Sequence, residues 1–413
     1  MTAGGNNTLT TIQTVSEADM PRGFSFASAH CGLKKKKLDL AIFVSESPAT
    51  AAAVFTTNQV QAAPVLVSRG NLKKSPGKMR AVIVNSGNAN CCTGAEGMSA
   101  ARKTVFATAK QLKCKPEQIL VCSTGVIGAR LKVEKILAAL PSLATARSPG
   151  AEAFAEFSRA IMTTDTRPKT ATAKYTVNGK TVRMVGCTKG AGMIEPNMAT
   201  MLAFLATDAR VSPAMLSRAL RDVVSRTFNA ITVDGDTSTN DTVTLLANGE
   251  SGARKIQRED GDYKKFVRAL ETVSKALAIA IVADGEGAQR VVDVEVKGAP
   301  SNRAADRIAR TIANSPLVKT AIAGADPNWG RVLAAAGRSG VAFGPERVDI
   351  HLAGVEVCKR GGETDFDEKA THEKMLAKYV PIIVNLHAGK GHAHVWTCDF
   401  TTEYVHINAS YRT

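Results

Sequence analysis

The segment from Lys189 to Asp208 carries the residue best suited to nucleophilic chemistry, Thr200. Two glycines and a proline interrupt regular structure before Ala199–Thr200, and the apolar run Met201–Leu205 follows. The hydroxyl of such a residue can attack the preceding carbonyl carbon and turn the amide into an ester that water cleaves, provided that the oxyanion is stabilised. The freed threonine would carry an α-amine with a pKa of about 7.7–8.0, which can serve as base for its own hydroxyl. The same residues are also typical of an ordinary strand start, so taken alone they leave both interpretations open.

Other clusters of reactive side chains give weaker patterns. Asp234 to Asp241 holds three carboxylates within eight residues, but no glutamate closes it as in an EF-hand loop, which favours a structural role. His392 and His394 alternate and should point to one side of a strand, yet the sequence supplies no third ligand beside them. The eight cysteines show no Cys-x-x-Cys pair, and no phosphate-binding Gly-x-x-x-x-Gly-Lys-Ser/Thr loop occurs. We therefore expect neither a metal nor a cofactor.

The net charge of +16 over 413 residues suggests an anionic partner. Its distribution argues against nucleic acid, because the densest run, Lys34–Lys37, is only four residues long and the other basic residues are scattered. We expect these lysines to form a solvated surface, and a non-catalytic basic binding protein is kept as an alternative. No apolar run approaches the roughly 20 residues of a membrane span, which predicts a soluble, cytoplasmic protein without membrane contact.

Alternating strand-like and helix-like segments predict an α/β protein. Its 413 residues are too many for one ordinary hydrophobic core, so two or more layered lobes, or two domains, are the first expectation. Because the sequence shows no repeat and no long linker, we expect the two halves to pack into one layered α/β body. A β-branched run predicts a strand at Ala81–Val84, and Asn178–Gly179 is a strong signal for a hairpin. A Gly-Lys-Gly turn likewise predicts that Val380–Leu386 pairs with Ala393–Phe400.

Seven ordered sequence blocks resemble the ornithine acetyltransferase family, also called the glutamate N-acetyltransferases. They are Asn85–Asn90, Ser123–Gly128, Met162–Thr166, Lys189–Met193 with Met198–Leu202, Val233–Thr242, Asp326–Arg331 and Ile407–Thr413. The nearest departure is Cys91–Cys92, where the family often has Ala-Cys. The resemblance implies an α/β layered sandwich of the type found in self-cleaving ornithine acetyltransferases and aminopeptidases.

The resemblance also implies that the chain cuts itself between Ala199 and Thr200. After a flexible arm at residues 1–19, residues 20–199 would form the body of an α chain, and residues 200–413 a β chain. Two α and two β chains would form a heterotetramer. Thr200 would take an acetyl group from N2-acetylornithine and pass it to glutamate by a ping-pong mechanism, which recycles the acetyl group in arginine biosynthesis.

Two questions about this reaction stay open at the level of the sequence. Some family members also accept acetyl-CoA as the donor, and nothing in the residues decides whether this chain does. A related self-cleaving aminopeptidase or amidase, which passes its acyl group to water, remains the alternative function.

Site residues follow from the same resemblance. Thr124 and Gly125 would form the oxyanion hole, since a hydroxyl and a backbone N–H can both point at a developing negative oxygen. Lys189 suits the α-carboxylate of a substrate, and Glu286 suits its α-amine. The full set of implied substrate contacts is Thr163, Lys189, Thr200, Glu286, Asn408 and Thr413.

Overall fold

The computed structural model describes residues 14–195 and 201–410. These residues form two compact units, as the chain length indicates. The larger unit contains residues 14–195, 201–229 and 236–281, and the smaller unit contains residues 230–235 and 282–410. Each unit combines a sheet with helices, so the α/β prediction is confirmed. Within the described ranges, no helix has both the length and the apolar character needed to span a membrane.

The larger unit is built, in its described part, around a sheet of eight strands. They are β1 (Phe24–Ala29), β2 (Leu40–Phe55), β3 (Lys78–Asn88), β4 (Ile119–Val126), β5 (Lys169–Val177), β6 (Lys180–Lys189), β7 (Leu202–Thr207) and β8 (Thr242–Ala247). The strand order is β4-β3-β2-β8-β7-β6-β5, and β1 pairs with the first half of β2. The pairs β3/β4 and β7/β8 are parallel, and the other pairs are antiparallel. Strands β7 and β8, which follow position 200, therefore lie inside the sheet between β2 and β6.

Helices cover both faces of this sheet. They are α1 (Ala63–Lys74), α2 (Gly94–Gln111), α3 (Val133–Thr145), α4 (Ala151–Ala160), α5 (Pro213–Arg226) and α6 (Gly261–Ala283). Strand β2 shows why two layers form, because successive side chains of a strand point to opposite faces. Leu40, Ile42 and Val44 enter a core with α1, α2 and α3, whereas Ala41 and Phe43 enter a second core with α4. Two apolar faces on one strand require helices on both sides.

The smaller unit has a sheet of six strands among the described residues. They are β9 (Val291–Ala299), β10 (Asp349–Leu352), β11 (Val355–Lys359), β12 (Gly362–Glu363), β13 (Tyr379–Asn385) and β14 (Gly391–Cys398), in the order β12-β11-β10-β13-β9-β14. Its helices are α7 (Asn302–Ala313), α8 (Pro316–Ala323), α9 (Trp329–Gly337), α10 (Glu368–Met375) and α11 (Thr402–Ser410). Val292, Val294 and Val296 of β9 pack into a core with α7. Asp293 and Glu295 therefore lie on the opposite face of the sheet.

The two hairpin predictions had different outcomes. Asn178 and Gly179 have φ angles of 47° and 72°, and they join β5 to β6 in an antiparallel pair as predicted. The predicted pairing of the last two strands is wrong: β13 pairs in parallel with β9, and β14 pairs antiparallel with β9 from its other side. A strand from much earlier in the chain separates them, so the Gly-Lys-Gly segment belongs to a crossover.

The described part of the predicted flexible arm, residues 14–19, contacts the larger unit. Residues 1–13 lie outside the described part of the chain. The carboxylate of Glu17 accepts a hydrogen bond from the N–H of Ala151 (2.7 Å) at the start of α4. Asp19 pairs with Lys174 of β5, at 2.8 Å between carboxylate oxygen and Nζ. These contacts join the end of the predicted arm to the larger unit.

Candidate active site

The predicted site residues fall at the ends of secondary-structure elements wherever the structure describes them. Ala199, Thr200 and Thr413 lie outside the described residues. The others are Thr124 and Gly125 near the end of β4, Thr163 after α4, Lys189 at the end of β6, Glu286 after α6, and Asn408 in α11. The division of the chain at residues 199 and 200 therefore stays a prediction.

Residues 236–242 bind both described flanks of the predicted cleavage position. Upstream, the N–H of Glu195 donates to the carbonyl of Asp236 (2.7 Å). Downstream, the N–H of Thr242 donates to the carbonyl of Met201 (3.0 Å), immediately before β7. One short segment thus fixes the chain on either side of residues 196–200.

The end of β4, where Thr124 and Gly125 are predicted to form the oxyanion hole, requires glycine at position 125. Gly125 has φ +128°, and a Cβ added there would lie 2.4 Å from the carbonyl carbon of Gly87. No side chain fits between β3 and β4 at this distance, so glycine lets the backbones of the two strands approach closely here. Thr124 is buried beside it.

An amide side chain joins the end of β4 to residues 236–242, the segment that binds both sides of the predicted cleavage position. The Nδ2 of Asn240 donates to the carbonyls of Ala89 (2.6 Å) and Ser123 (2.9 Å). Ser123 in turn donates its hydroxyl to Asn85 (2.6 Å). The contacts described here are made by the backbone carbonyl of Asp236 and the amide of Asn240, so the structural role predicted for the three carboxylates stays a prediction. No role was predicted for Asn240 itself, although it lies within one of the recognised blocks.

Two predicted substrate residues of the larger unit, Lys189 and Thr163, are in contact. The Nζ of Lys189 donates to the Thr163 hydroxyl at 3.2 Å. Asp165 holds both residues in place: its carboxylate accepts from the N–H of Thr163 (2.9 Å) and from the N–H of Gly190 (2.7 Å). It also pairs with the ammonium of Lys169 at 2.6 Å, and both side chains of that pair are fully buried.

Asp165 is therefore a charged centre that the sequence analysis missed. Burial raises the pKa of its carboxyl, but the charges of Lys169 and Lys189 and the hydrogen bonds from Lys169 and Gly190 outweigh burial. The net effect lowers the pKa from 3.8 to about 2. The carboxylate stays ionised at neutral pH and fixes the end of β6. The spacing of four residues predicts such a pair only within a helix, whereas Asp165 lies in a loop and Lys169 begins β5.

Lys34 corrects the prediction of a solvated basic run. Its ammonium donates to the carbonyls of Met162 (2.7 Å) and Leu38 (3.0 Å), just before the Thr163–Asp165 loop. Burial lowers the pKa of Lys34 to about 8, partly opposed by Asp39. The following three lysines are exposed as expected, so composition alone could not distinguish Lys34 from its neighbours.

The smaller unit brings the other two predicted substrate residues together. Glu286 is buried, and its Oε2 accepts a hydrogen bond from the Nδ2 of Asn408 at 2.8 Å. Gly287 has φ +72°, and a Cβ there would lie 2.6 Å from the backbone nitrogen of Tyr404 in α11. The glycine lets the loop after α6 press against α11, which places Glu286 beside Asn408. A buried carboxylate oriented by an amide is well suited to bind a substrate ammonium group.

A model of the ArgJ family matches residues 25–413. The arginine biosynthesis bifunctional protein ArgJ of Thermotoga neapolitana is 49% identical, over 95% of this chain and 100% of its own length. The protein of the same name from Chlorobaculum tepidum is 47% identical, over 95% of this chain and 96% of its own length.

Two solved structures are also similar. The crystal structure of the arginine biosynthesis bifunctional protein ArgJ from Bacillus halodurans is 43% identical, with a TM-score of 0.50, and covers 51% of this chain and 100% of that chain. The ornithine acetyltransferase from Mycobacterium tuberculosis, complexed with ornithine, is 38% identical with a TM-score of 0.40, over 45% of this chain and 96% of that chain.

Proposed function

The chain belongs to the ArgJ family and is an acetyltransferase of arginine biosynthesis, and we propose that it transfers the acetyl group of N2-acetylornithine to glutamate. The proposal rests on one structural observation. Residues 236–242 hydrogen bond to Glu195 and Met201, on either side of the predicted nucleophile. Asn240 of the same segment binds the backbone of Ser123, next to the predicted oxyanion hole at Thr124 and Gly125.

The chemistry begins with cleavage of the Ala199–Thr200 peptide bond. The hydroxyl of Thr200 attacks the carbonyl carbon of Ala199, and the C–N bond breaks as the ester forms, which frees the α-amine of Thr200. Water then hydrolyses the ester, leaving a carboxylate on Ala199 and the hydroxyl on Thr200. That amine then takes the proton of its own hydroxyl when the hydroxyl attacks the acetyl carbonyl of the substrate. Thr124 and Gly125 stabilise the oxyanion, and ornithine leaves as the free amine after accepting the proton.

The second half of the reaction returns the acetyl group to an amine. The amine of glutamate attacks the acetyl ester on Thr200, the ester C–O bond breaks, and the threonine oxygen recovers a proton. Lys189 binds the α-carboxylate that both substrates share, while Thr163 orients the lysine. The α-nitrogen, to which Glu286 was assigned from the sequence, is acylated in N2-acetylornithine and carries no charge. Glu286, held by Asn408, therefore binds the side-chain ammonium of the substrate. Thr413 belongs to the proposed set of substrate contacts.

Intact-mass analysis tests the cleavage. Wild type should give two fragments that meet at Thr200, and Thr200→Ala should give one chain of 43.5 kDa without acetyl transfer. Thr200→Ser keeps a hydroxyl and should retain part of both activities. Thr272→Ala, at an exposed position of α6, is the matched control and should behave as wild type. An active preparation that remains a single uncut polypeptide would overturn the mechanism.

Isotope transfer separates the proposed transferase from a hydrolase. With N2-[14C]acetylornithine and glutamate, label should appear in N-acetylglutamate, and Thr200 should carry the label when glutamate is omitted. Release of free acetate at the same rate with and without glutamate would assign the chain to the aminopeptidase or amidase class. Adding labelled acetyl-CoA in place of acetylornithine tests the second donor.

The assembly and location of the enzyme are part of the same proposal. We expect a heterotetramer of two α and two β chains in the cytoplasm. Light scattering coupled to size-exclusion chromatography measures the mass of the assembly, and subcellular fractionation measures its location.

A further inference from the structure

Two histidines and a glutamate meet on the outer face of the smaller unit's sheet. His392 and His394 alternate along β14, so both point to the same face. In the register of β14 with β9, His394 lies directly opposite Glu295. The sequence places no third ligand near these histidines, because Glu295 lies on a strand about 100 residues earlier in the chain.

The potential ligand atoms of these three side chains are close together. The Nε2 of His392 lies 3.0 Å from the Oε1 of Glu295, and the Nε2 of His394 lies 3.9 Å from the same oxygen. One ligand atom from each residue fits within a group whose members are all within 4.8 Å of one another. Ligand atoms around a tetrahedral zinc ion lie about 3.3 Å apart, so modest rotations of these partly exposed side chains would complete a site.

A further carboxylate orients one of the histidines. The Nδ1 of His394 lies 3.1 Å from the Oδ1 of Asp293, two residues before Glu295 on β9. Asp293 is itself held by the hydroxyl of Tyr379 on β13. An Nδ1–H bound to this carboxylate leaves Nε2, which lies 3.9 Å from the Oε1 of Glu295, as the nitrogen of His394 that can bind a metal. Histidine ligands of metals are commonly oriented by a carboxylate in this way.

From this geometry we infer that Glu295, His392 and His394 form a binding site for a divalent transition-metal ion of the zinc type, with water in the remaining coordination position. Two imidazoles and a carboxylate suit Zn²⁺ or Co²⁺, whereas Mg²⁺ and Ca²⁺ prefer oxygen ligands. The ion would link β9 to β14 at the edge of the sheet and so stabilise the smaller unit. The inference is independent of the proposed acetyl transfer, and its test needs no activity measurement.

The test is a titration of the chelator-stripped, untagged protein, whether cut or uncut, with Co²⁺ and, separately, with Zn²⁺. Isothermal calorimetry should show one ion bound per smaller unit, and the visible spectrum of bound Co²⁺ should report nitrogen and oxygen coordination. Wild type should melt at a higher temperature with Zn²⁺ than without it. Mg²⁺ at the same concentration should give no comparable shift.

Variants assign the ligands. His392→Ala and Glu295→Gln should each weaken binding more than Asp293→Asn, for which a loss of about 10–100-fold is expected from removing an orienting carboxylate. His387→Ala is the matched control: it removes a similarly exposed histidine paired with a carboxylate, Asp349, in the same unit at 2.6 Å, and should bind as wild type.

Three results would overturn the inference. One is absence of stoichiometric Co²⁺ or Zn²⁺ binding by wild type. Another is binding that survives both His392→Ala and Glu295→Gln. The third is a Co²⁺ spectrum with sulfur charge-transfer bands, which would assign the ion to thiols such as the exposed Cys92. Circular dichroism checks that each variant is folded, and Glu295→Gln tests the site without altering either imidazole.

Discussion

Replacing Asp165 by Asn should destabilise the larger unit by several kcal/mol. The carboxylate accepts three hydrogen bonds, from Lys169, Gly190 and Thr163. An amide keeps only one acceptor oxygen, turns its NH₂ group toward another donor, and removes the carboxylate charge that pairs with the fully buried ammonium of Lys169. Breaking a buried pair by removing one partner typically costs about 3–5 kcal/mol.

The pKa of Asp165 indicates a magnitude of the same order. The folded protein lowers this pKa from 3.8 to about 2, which corresponds to roughly 2–3 kcal/mol. Because the folded pKa is depressed, this contribution is fully present above pH 3.8 and is lost as the pH falls toward 2. The stability difference between wild type and Asp165→Asn should therefore shrink across that window.

Urea unfolding followed by far-ultraviolet circular dichroism measures the effect. Tryptophan fluorescence is unsuitable, because both tryptophans, Trp329 and Trp396, lie in the smaller unit. The matched control is Asp222→Asn on α5, which removes one carboxylate of an exposed ion pair with Arg218 and should cost no more than about 1 kcal/mol. In a double-mutant cycle, adding Lys169→Met should recover much of the loss, since it removes the buried ammonium whose counter-charge Asp165→Asn takes away. A loss for Asp165→Asn no larger than that for Asp222→Asn would refute the reasoning.

Three further changes have defined outcomes. Gly125→Ala should lower the thermal midpoint and reduce acetyl transfer, because the added Cβ collides with the backbone of Gly87. The control Gly128→Ala, where an added Cβ meets open space, should cost only about 1 kcal/mol for its positive φ, and equal midpoints of the two variants would contradict the steric argument. Glu286→Gln should raise the KM for acetylornithine by about tenfold or more with a smaller change in kcat, and Asn408→Ala should raise the same KM by less. Unchanged KM values would exclude both residues from substrate binding. Lys34→Met removes an ammonium whose pKa falls from 10.5 to about 8 on folding, so wild type should gain stability relative to the variant as the pH rises from about 8 to 10.5. Urea midpoints measured across that pH range test this, and a constant difference would contradict the burial of that charge.

The sequence predicted best what short-range chemistry determines. The β5–β6 hairpin follows from Asn178–Gly179, because two adjacent residues with positive φ are enough to specify the turn. The β13–β14 pairing was wrong because a turn signal contains no information about a distant strand, and β9 provides partners for both.

The candidate site shows the same limit. Family resemblance selected Lys189, Thr163, Glu286 and Asn408, and the structure places them in two contacting pairs. The buried charge of Asp165 escaped notice because burial depends on tertiary packing, which converts an ordinary acidic residue into a fixed ion.

The interior position of β7 and β8 has a consequence for a chain cut before residue 200. Each of these strands is hydrogen bonded on both sides, β7 to β6 and β8, and β8 to β7 and β2. The two products of such a cut would share one continuous ladder, so they could not dissociate without dismantling the sheet. Cleavage would cost little cohesion while the protein stays folded. Once unfolded, however, the fragments would have to find each other by diffusion, and a unimolecular refolding step would become a concentration-dependent one.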